Sequence, residues 1–205
     1  IYLLSTSPER FIKRIGNKII TQPIKGTCRR DSNKALDLKL KNDLSSNPKE
    51  RSENIMIVDL VRNDLSRFSV PGTVKVSELC EVYPFKQVHQ MISTVESKIE
   101  NKLSIAEIIK STFPMGSMTG APKVKALTII DDLEVSRRGL YSGALGYIDP
   151  VGNFDFNVVI RSLIYDENNK YLSFHVGSAI TSNSSPEFEY QECLLKANPM
   201  ISILK

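Results

Sequence analysis

Apolar and polar positions repeat with two different periods along the chain, and the two periods occupy separate blocks. Helical patterns are predicted near residues 37–40, 47–64, 104–113, 122–130 and 185–198. Strand patterns are predicted at residues 72–76, 87–98, 141–148, 154–165 and 170–176. The last three strands follow one another with short turns, which favours an antiparallel meander over βαβ units. Helices and antiparallel strands in blocks predict an α+β fold.

Local capping signals predict several helix boundaries. The segments Asn47 to Glu50 and Ser104 to Glu107 each place a capping side chain three residues before a glutamate, which is typical of a helix start. Pro122 is predicted to be the first residue of its helix, since proline suits that position. The last helix is predicted to end or bend near Pro199, because proline lacks the backbone N–H that a helix interior needs.

Composition narrows the class of protein. Of 205 residues, 41% are hydrophobic and 24% are charged, which excludes a disordered or low-complexity chain. Apolar stretches such as 55–58 stop after four residues, whereas a membrane-spanning helix needs about 20, so we expect no membrane segment and no signal peptide. The net charge of +4 is scattered among acidic residues and Trp is absent. We therefore expect a small anionic ligand and no nucleic acid.

The cysteines and the first residue carry two further expectations. Cys28, Cys80 and Cys193 are odd in number and far apart, which argues against a disulfide framework or a zinc site. Free thiols in a reducing, cytoplasmic environment are the expectation. The chain begins with Ile1 instead of Met, which indicates that an N-terminal part has been removed.

Two predicted helices each carry a pair of glutamates at a spacing of three residues. Glu50 and Glu53 form one pair, and Glu189 and Glu192 form the other. This spacing puts both carboxylates of a pair on one helical face. A hard divalent cation such as Mg²⁺ prefers such oxygen ligands. The alternative is an ordinary solvated helix face, which the spacing alone favours.

Two other features can bind an anion. The turn Thr119-Gly120-Ala121 leads into a helix, and the free N–H groups of a helix start attract a carboxylate or phosphate; an ordinary helix cap is the alternative. Arg161 lies in an otherwise apolar predicted strand, on one face with Val159 and Asn157, so it needs an anionic partner. A structural ion pair or an edge-strand position would also satisfy it.

Four positions have a plain interpretation and a chemical one. Lys25, between Ile24 and Gly26, is either a surface lysine or a partly desolvated nucleophile. Glu9 is by default a first-turn helix acid, and His89, in a strand, is by default structural. The segment Gly177-Ser178-Ala179 is either a plain strand exit or a place where a ligand reaches the backbone.

Together these features resemble the chorismate-utilising enzymes, which include anthranilate, aminodeoxychorismate, isochorismate and salicylate synthases. The resemblance runs nearly end to end. The matching stretches are Ser7–Glu9, Pro23–Thr27, Glu53–Asp64, Val88–Met91, Phe113–Lys123, Arg138–Gly143, Ile160–Arg161 and Glu189–Glu192. It implies stacked antiparallel sheets packed as a sandwich with helices outside. It also implies that residues 1–205 are the C-terminal chorismate-binding catalytic region of a longer chain.

The lysine at position 25 distinguishes branches of the family. Anthranilate synthases usually have Ala there, whereas the branch that aminates chorismate at C4 through a covalent intermediate has Lys. The resemblance therefore implies synthesis of 4-amino-4-deoxychorismate, the precursor of p-aminobenzoate and folate. Lys25 would attack C2 as the C4 hydroxyl departs, and ammonia would then add at C4 and expel the lysine. A glutamine amidotransferase partner would supply the ammonia.

The resemblance also assigns roles to individual residues. It implies that Glu9 is the general acid and that His89 lies near C4. It implies an Mg²⁺ ion bound by Glu53 and Glu192 with a supporting pair, Glu50 and Glu189. The implied substrate-binding residues are Gly26, Thr27, Thr119, Gly120, Ala121, Tyr141, Arg161, Gly177, Ser178, Ala179 and Lys196.

One residue departs from the family pattern, and other functions stay open. The family often has Gly-x-Gly where this chain has Gly177-Ser178-Ala179, so a methyl group at Ala179 narrows the approach to the backbone. Anthranilate synthase is the main alternative. A second is a catalytically incomplete chorismate-binding fragment, or a subunit that docks a glutaminase. Isochorismate synthase fits less well, because water and not an amine is the nucleophile there.

Overall fold

The structure, a computed structural model, describes residues 1–182 and 184–204. It contains two compact units. The larger unit comprises Glu9–Val135 and Gly146–Phe156, and the smaller comprises Ile1–Pro8, Ser136–Leu145 and the chain from Asn157 on. No helix among the described residues is long and apolar enough to cross a membrane.

Seven strands form the larger sheet. They are β2 (Arg10–Ile15), β3 (Lys18–Gln22), β4 (Ile24–Arg29), β5 (Lys75–Pro84), β6 (Val88–Lys98), β7 (Ala144–Ile148) and β8 (Phe154–Val158). Their order is β4-β6-β3-β2-β8-β7, and β5 also pairs with β6. Strand β6 is long enough to pair antiparallel with β3 at one end and β4 at the other, while β5 takes its second edge.

Four helices belong to the larger unit: α1 (Lys34–Ser46), α2 (Pro48–Ser66), α3 (Ile105–Thr112) and α4 (Lys123–Leu133). The predicted start of α2 is confirmed, because the Asn47 side chain accepts hydrogen bonds from the backbone N–H groups of Lys49 and Glu50. The capping box of Ser104 and Glu107 at α3 is also confirmed. The prediction for α4 was wrong by one residue: Pro122 is extended and occupies the N-cap position, just before the first helical residue, Lys123.

The core of the larger unit lies between helices and sheet. Leu44 of α1 packs with Cys80 and Val82 of β5 and Met91 of β6. Helix α2 buries one face, whose apolar members are Ile57, Val58, Leu60 and Leu65 and whose polar members are Asn54 and Asp64. This stripe is the face that fixes α2 on the unit, and it determines where the remaining side chains of α2 point.

The smaller unit combines a three-stranded antiparallel sheet with one long helix. Its strands are β1 (Tyr2–Ser5), β9 (Ser162–Asp166) and β10 (Tyr171–Ser173), in the order β1-β9-β10. Helix α5 (Pro186–Ile203) continues past Pro199, so it does not end there, and the other predicted outcome, a bend, stays a prediction. Antiparallel sheets with helices confirm the predicted α+β class.

The predicted meander was wrong in its detail. The segment 154–165 is not one strand: it divides into β8 and β9, which belong to different sheets. Arg161 lies at the break with a positive φ of 50°, a conformation that ends the pleated alternation. The strand predicted at 141–148 begins only at Ala144, and the one at 170–176 ends at Ser173.

Candidate functional site

A β-bulge places Lys25 in the larger unit. Ile24 lies opposite Ile92, but Thr27 lies opposite Gln90, so β4 has one residue more than β6 between these pairs. The extra residue falls at Lys25-Gly26, and Gly26 has a φ of 90°. Bulges re-aim a side chain and occur often beside active sites. Lys25 is half-buried and Thr27 is exposed.

Glu50 lies directly against this bulge. A Cβ atom added to Gly26 would come within 3.2 Å of Glu50 Oε2 and 3.2 Å of Leu44 Cδ1. The absence of a side chain at Gly26 therefore makes room for the Glu50 carboxylate beside the backbone of Lys25. One helical turn along, Glu53 is largely buried, and its carboxylate is 4.0 Å from Lys49 Nζ. The structure thus brings the predicted Lys25, Gly26 and Glu50 together.

The buried His89 ring belongs to a hydrogen-bonded chain with Asp37 and the exposed Arg30. Its Nε2 is 2.9 Å from Asp37 Oδ1, and its side chain is 2% exposed. Arg30 donates through Nε to both oxygens of Asp37, at 2.8 and 3.0 Å. These bonds, Arg30 first, hold the pKa of Asp37 well below its usual range. Because an ionised carboxylate only accepts, the His89 proton in this bond lies on Nε2.

Two further predicted parts of the site belong to the larger unit, namely Glu9 and the Thr119–Ala121 turn. Glu9 is 6% exposed and lies just before β2, so the helical default was wrong and the side chain is buried at a strand entrance. The Thr119-Gly120-Ala121 turn follows a 3₁₀ turn, Gly116–Met118, and the Thr119 hydroxyl donates to the Met115 carbonyl at 3.1 Å. The turn does lead into α4, as predicted.

In the smaller unit, residues predicted to bind the substrate carboxylate lie close to Lys196, which belongs to the second half of α5. Arg161 Nη1 donates to the Lys196 carbonyl at 3.0 Å, and Lys196 Nζ donates to the Gly177 carbonyl at 3.0 Å. Lys196 also pairs with Glu192 one turn earlier. Burial lowers the pKa of the Arg161 guanidinium, although Tyr141 and Glu192 act to raise it.

Tyr141 and the 177–179 segment complete this cluster. The Tyr141 ring stacks on His175 at a centroid distance of 5.6 Å, and a Cβ on Gly177 would come within 2.8 Å of the Tyr141 hydroxyl. The Ser178 hydroxyl donates to the buried Glu189 carboxylate. Both Tyr141 and the 177–179 segment lie in loops, not at strand ends as predicted.

The predicted metal ligands divide between the two units. In neither unit do the described residues bring three or more His, Cys, Asp or Glu side chains around one point. Each unit does offer a pair of carboxylates on one helix. Oxygen donors of this kind fit Mg²⁺, which takes one or two carboxylates and completes its shell with water and substrate oxygens. The four glutamates therefore fit the ion in chemistry, and their role stays a prediction.

Sequence reasoning missed several residues that touch the predicted ones. Asp37 and Arg30 hold His89, although only a helical pattern marked their segment. His175 stacks on Tyr141, and its Nδ1 is buried without a hydrogen-bond partner among the described residues. No local signal identifies the contact of Asp37 with His89 or of Tyr141 with His175, because each joins residues far apart in the chain. The three cysteines are free thiols, as expected, and burial raises the pKa of each.

Comparisons with known proteins agree with this arrangement. Residues 1–202 match a family model described as chorismate binding enzyme. Aminodeoxychorismate synthase component 1 from Salmonella typhimurium is 42% identical over 99% of this chain and 44% of its own length. Two solved structures share the fold. Anthranilate synthase component I from Streptococcus pneumoniae has a TM-score of 0.81 and 32% identity, and it matches over 97% of this chain and 43% of its own.

The second solved structure is the menaquinone-specific isochorismate synthase from Escherichia coli. It has a TM-score of 0.87 at 24% identity, over 99% of this chain and 46% of its own, which shows the shared fold alone. The chain spans about half the length of the relatives it matches. The assignment of this segment to the C-terminal half stays a prediction.

Proposed function

Because the chain belongs to the family of chorismate-binding enzymes, we propose that it aminates chorismate at C4 to give 4-amino-4-deoxychorismate. The observation that carries the proposal is the lysine on the β4 bulge: Lys25 is presented by a backbone distortion beside Glu50. The higher identity to a relative named aminodeoxychorismate synthase, 42%, than to a relative named anthranilate synthase, 36%, supports the same branch.

The proposed reaction divides one difficult displacement into two easier ones. The Lys25 amine attacks C2, the two conjugated ring double bonds both shift, and the C4 hydroxyl leaves as water with a proton from Glu9. Ammonia then adds at C4, the double bonds shift back, and the C2–nitrogen bond to Lys25 breaks. Glu9 is buried at the entrance of β2, and its carboxyl group is the acid that the resemblance to the family assigns to this step.

The charged and polar residues of the smaller unit would orient the substrate. Arg161 would hold the enolpyruvyl carboxylate, with Lys196 beside it: the Arg161 guanidinium donates to the Lys196 carbonyl, and the Lys196 ammonium donates to the Gly177 carbonyl. Tyr141, stacked on His175, gives this pocket a fixed wall. In the larger unit, Gly26, Thr27 and the Thr119–Ala121 turn would contact the ring, with His89 near C4.

The proposal includes a metal ion and a partner. Glu53 and Glu192 would hold Mg²⁺, with Glu50 and Glu189 in support, and the ion would neutralise the ring carboxylate of chorismate. A glutamine amidotransferase partner would supply ammonia; the name "component 1" of the Salmonella relative supports a second component. The three free thiols support a reducing, cytoplasmic setting.

The decisive experiment uses the full-length protein with chorismate, Mg²⁺ and an ammonium salt, and identifies the product by chromatography. Lys25→Ala should lower aminodeoxychorismate formation by roughly 10³-fold or more, the scale seen when a nucleophile is removed. Lys86→Ala is the matched control, because Lys86 is an exposed lysine on the turn between β5 and β6. Unchanged activity in Lys25→Ala would disprove the covalent route.

Anthranilate synthase is the second candidate, because a relative of that name shares the fold at 32% identity. That reaction aminates C2 and releases pyruvate, so anthranilate fluorescence and pyruvate in the same assay would identify it. Formation of neither product, with chorismate still bound, would favour the catalytically incomplete alternative.

A further inference from the structure

A buried ion pair ties both ends of the segment that carries the Thr119–Ala121 turn. Lys123 Nζ donates to Asp64 Oδ2 at 2.5 Å and to the Thr112 carbonyl at 3.1 Å. Thr112 ends α3 and Lys123 begins α4, so one ammonium group closes the segment 113–122 into a loop. Asp64 lies near the end of α2 and anchors the closed loop to that helix.

The pair is shielded from water, so solvent cannot replace either charged group as a partner of the other. The Lys123 and Asp64 side chains are 13% and 5% exposed. The second carboxylate oxygen, Asp64 Oδ1, is buried and has no hydrogen-bond partner among the described residues. Arg67 also acts on this carboxylate through its charge, but Lys123 is the cation that donates a hydrogen bond to it, and a buried carboxylate with one oxygen unpaired depends strongly on such a bond. Losing Lys123 would therefore release the loop from Asp64.

A second contact holds the middle of the loop on the same helix. Gly116 packs so tightly on α2 that a Cβ there would come within 2.6 Å of Leu60 Cδ2. Leu60 and Asp64 are one turn apart on α2, so the segment is held at two successive turns of one helix. The Thr119 hydroxyl adds an internal bond to the Met115 carbonyl at 3.1 Å.

We propose that Lys123 and Asp64 are positioning residues that hold the Thr119–Ala121 turn in the geometry that binds chorismate. The proposal rests on the proposed function, since it takes this turn as part of the substrate site. Neither side chain needs to touch the substrate: Asp64 and Lys123 act through the loop that they close. A displacement of about 1 Å in a substrate-positioning element can cost about 100-fold in rate.

The test compares Lys123→Met and Asp64→Asn with Lys125→Met in the full-length protein. Lys125 is an exposed lysine on the same helix and serves as the matched control. We expect the KM for chorismate to rise about 10- to 100-fold in the first two variants, with the KM for ammonia unchanged. Lys123→Arg, which keeps the charge, should recover part of the loss. Lys125→Met should match the unaltered protein.

Other outcomes separate positioning from a merely structural role. If the variants lower kcat in proportion to the fraction of folded protein and leave the KM for chorismate unchanged, the proposal is overturned. Chorismate affinity by calorimetry tests the proposal even if the product is not aminodeoxychorismate, so its failure is distinct from failure of the proposed function.

If neither variant folds, amide hydrogen exchange of the unaltered protein decides. Slow exchange in residues 116–120, comparable with that at the end of α2, supports the proposal that Lys123 and Asp64 hold the loop in place. Fast exchange there, like that of a free loop, refutes it.

Discussion

Replacing Gly26 by Ala tests whether the bulge that presents Lys25 depends on the missing side chain. Two costs act on the variant. The first is backbone strain at a φ of 90°, roughly 1–2 kcal/mol for a residue with a Cβ. The second is overpacking: the new methyl group would meet Glu50 Oε2 and Leu44 Cδ1 at 3.2 Å, closer than ordinary contact. Forcing such neighbours to move costs roughly 1–3 kcal/mol.

Gly152→Ala is a control that isolates the second cost. Gly152 has a φ of 85°, close to that of Gly26, but a Cβ there would meet nothing within 4 Å. Both variants therefore carry similar strain, and only Gly26→Ala presses on Glu50 and Leu44. We expect Gly26→Ala to lose about 1–3 kcal/mol more stability than Gly152→Ala. In a domain of this size each kcal/mol corresponds to about 2–4 °C in Tm.

The assay is urea unfolding followed by circular dichroism, since the chain has no Trp for fluorescence. Midpoints and m values are compared for both variants and the unaltered protein. Activity gives a second reading: Gly26→Ala should lower aminodeoxychorismate formation, because Glu50 and Lys25 move with the bulge, while Gly152→Ala should leave it near normal. Equal loss of stability in the two alanine variants would refute the packing argument.

Two further predictions concern the helices beside the bulge. Asn47→Ala should destabilise the unit by about 1 kcal/mol in urea unfolding, because it removes the cap of α2, whereas Asn47→Ser should restore most of the loss. Asp37→Asn should reduce stability above pH 4 and matter progressively less below it. The Arg30 pair lowers the folded-state pKa of Asp37, so the stabilisation is complete above the unfolded value near 3.9 and is lost as pH falls. A pH-independent difference in urea midpoint would contradict this.

Local signals in the sequence predicted the helix starts well. The capping interactions at Asn47 and Ser104 involve residues two or three positions apart, so their chemistry is readable without tertiary structure. The long strand β6 was also predicted to within one residue of its observed bounds, although its 11 residues are buried almost continuously and do not alternate. Elements of this kind are fixed by the segment itself.

The errors arose where distant residues decide the conformation. The segment 154–165 alternates like one strand, yet Arg161 takes a positive φ and the chain passes from one sheet to another. No local signal marks this break, because pairing with strands far away in the chain overrides the segment's own preference. Helix α5 continues through Pro199, where an end or a bend was predicted.

The candidate site shows the same division. The residue types at Lys25, Glu50 and Arg161 could be named from the sequence and from the resemblance to a family. The register shift at Lys25 could not be predicted, since it depends on how the residues of β4 pair with those of β6. The Asp37 contact to His89 was equally invisible, because 52 residues separate the two.

Helix α2 links the separate parts of the site in the larger unit. Its first turn places Glu50 against Gly26, and its last turns hold the 113–122 segment through Leu60 and Asp64. Between them Asn54, fully buried, donates to the Met91 carbonyl at 3.5 Å and accepts from Ser93, which fixes the helix on β6. A helix is stiff over this length, so a shift at Asn54 would move both ends together. This buried amide therefore adds to the apolar stripe in holding α2 between the lysine bulge and the Thr119–Ala121 turn.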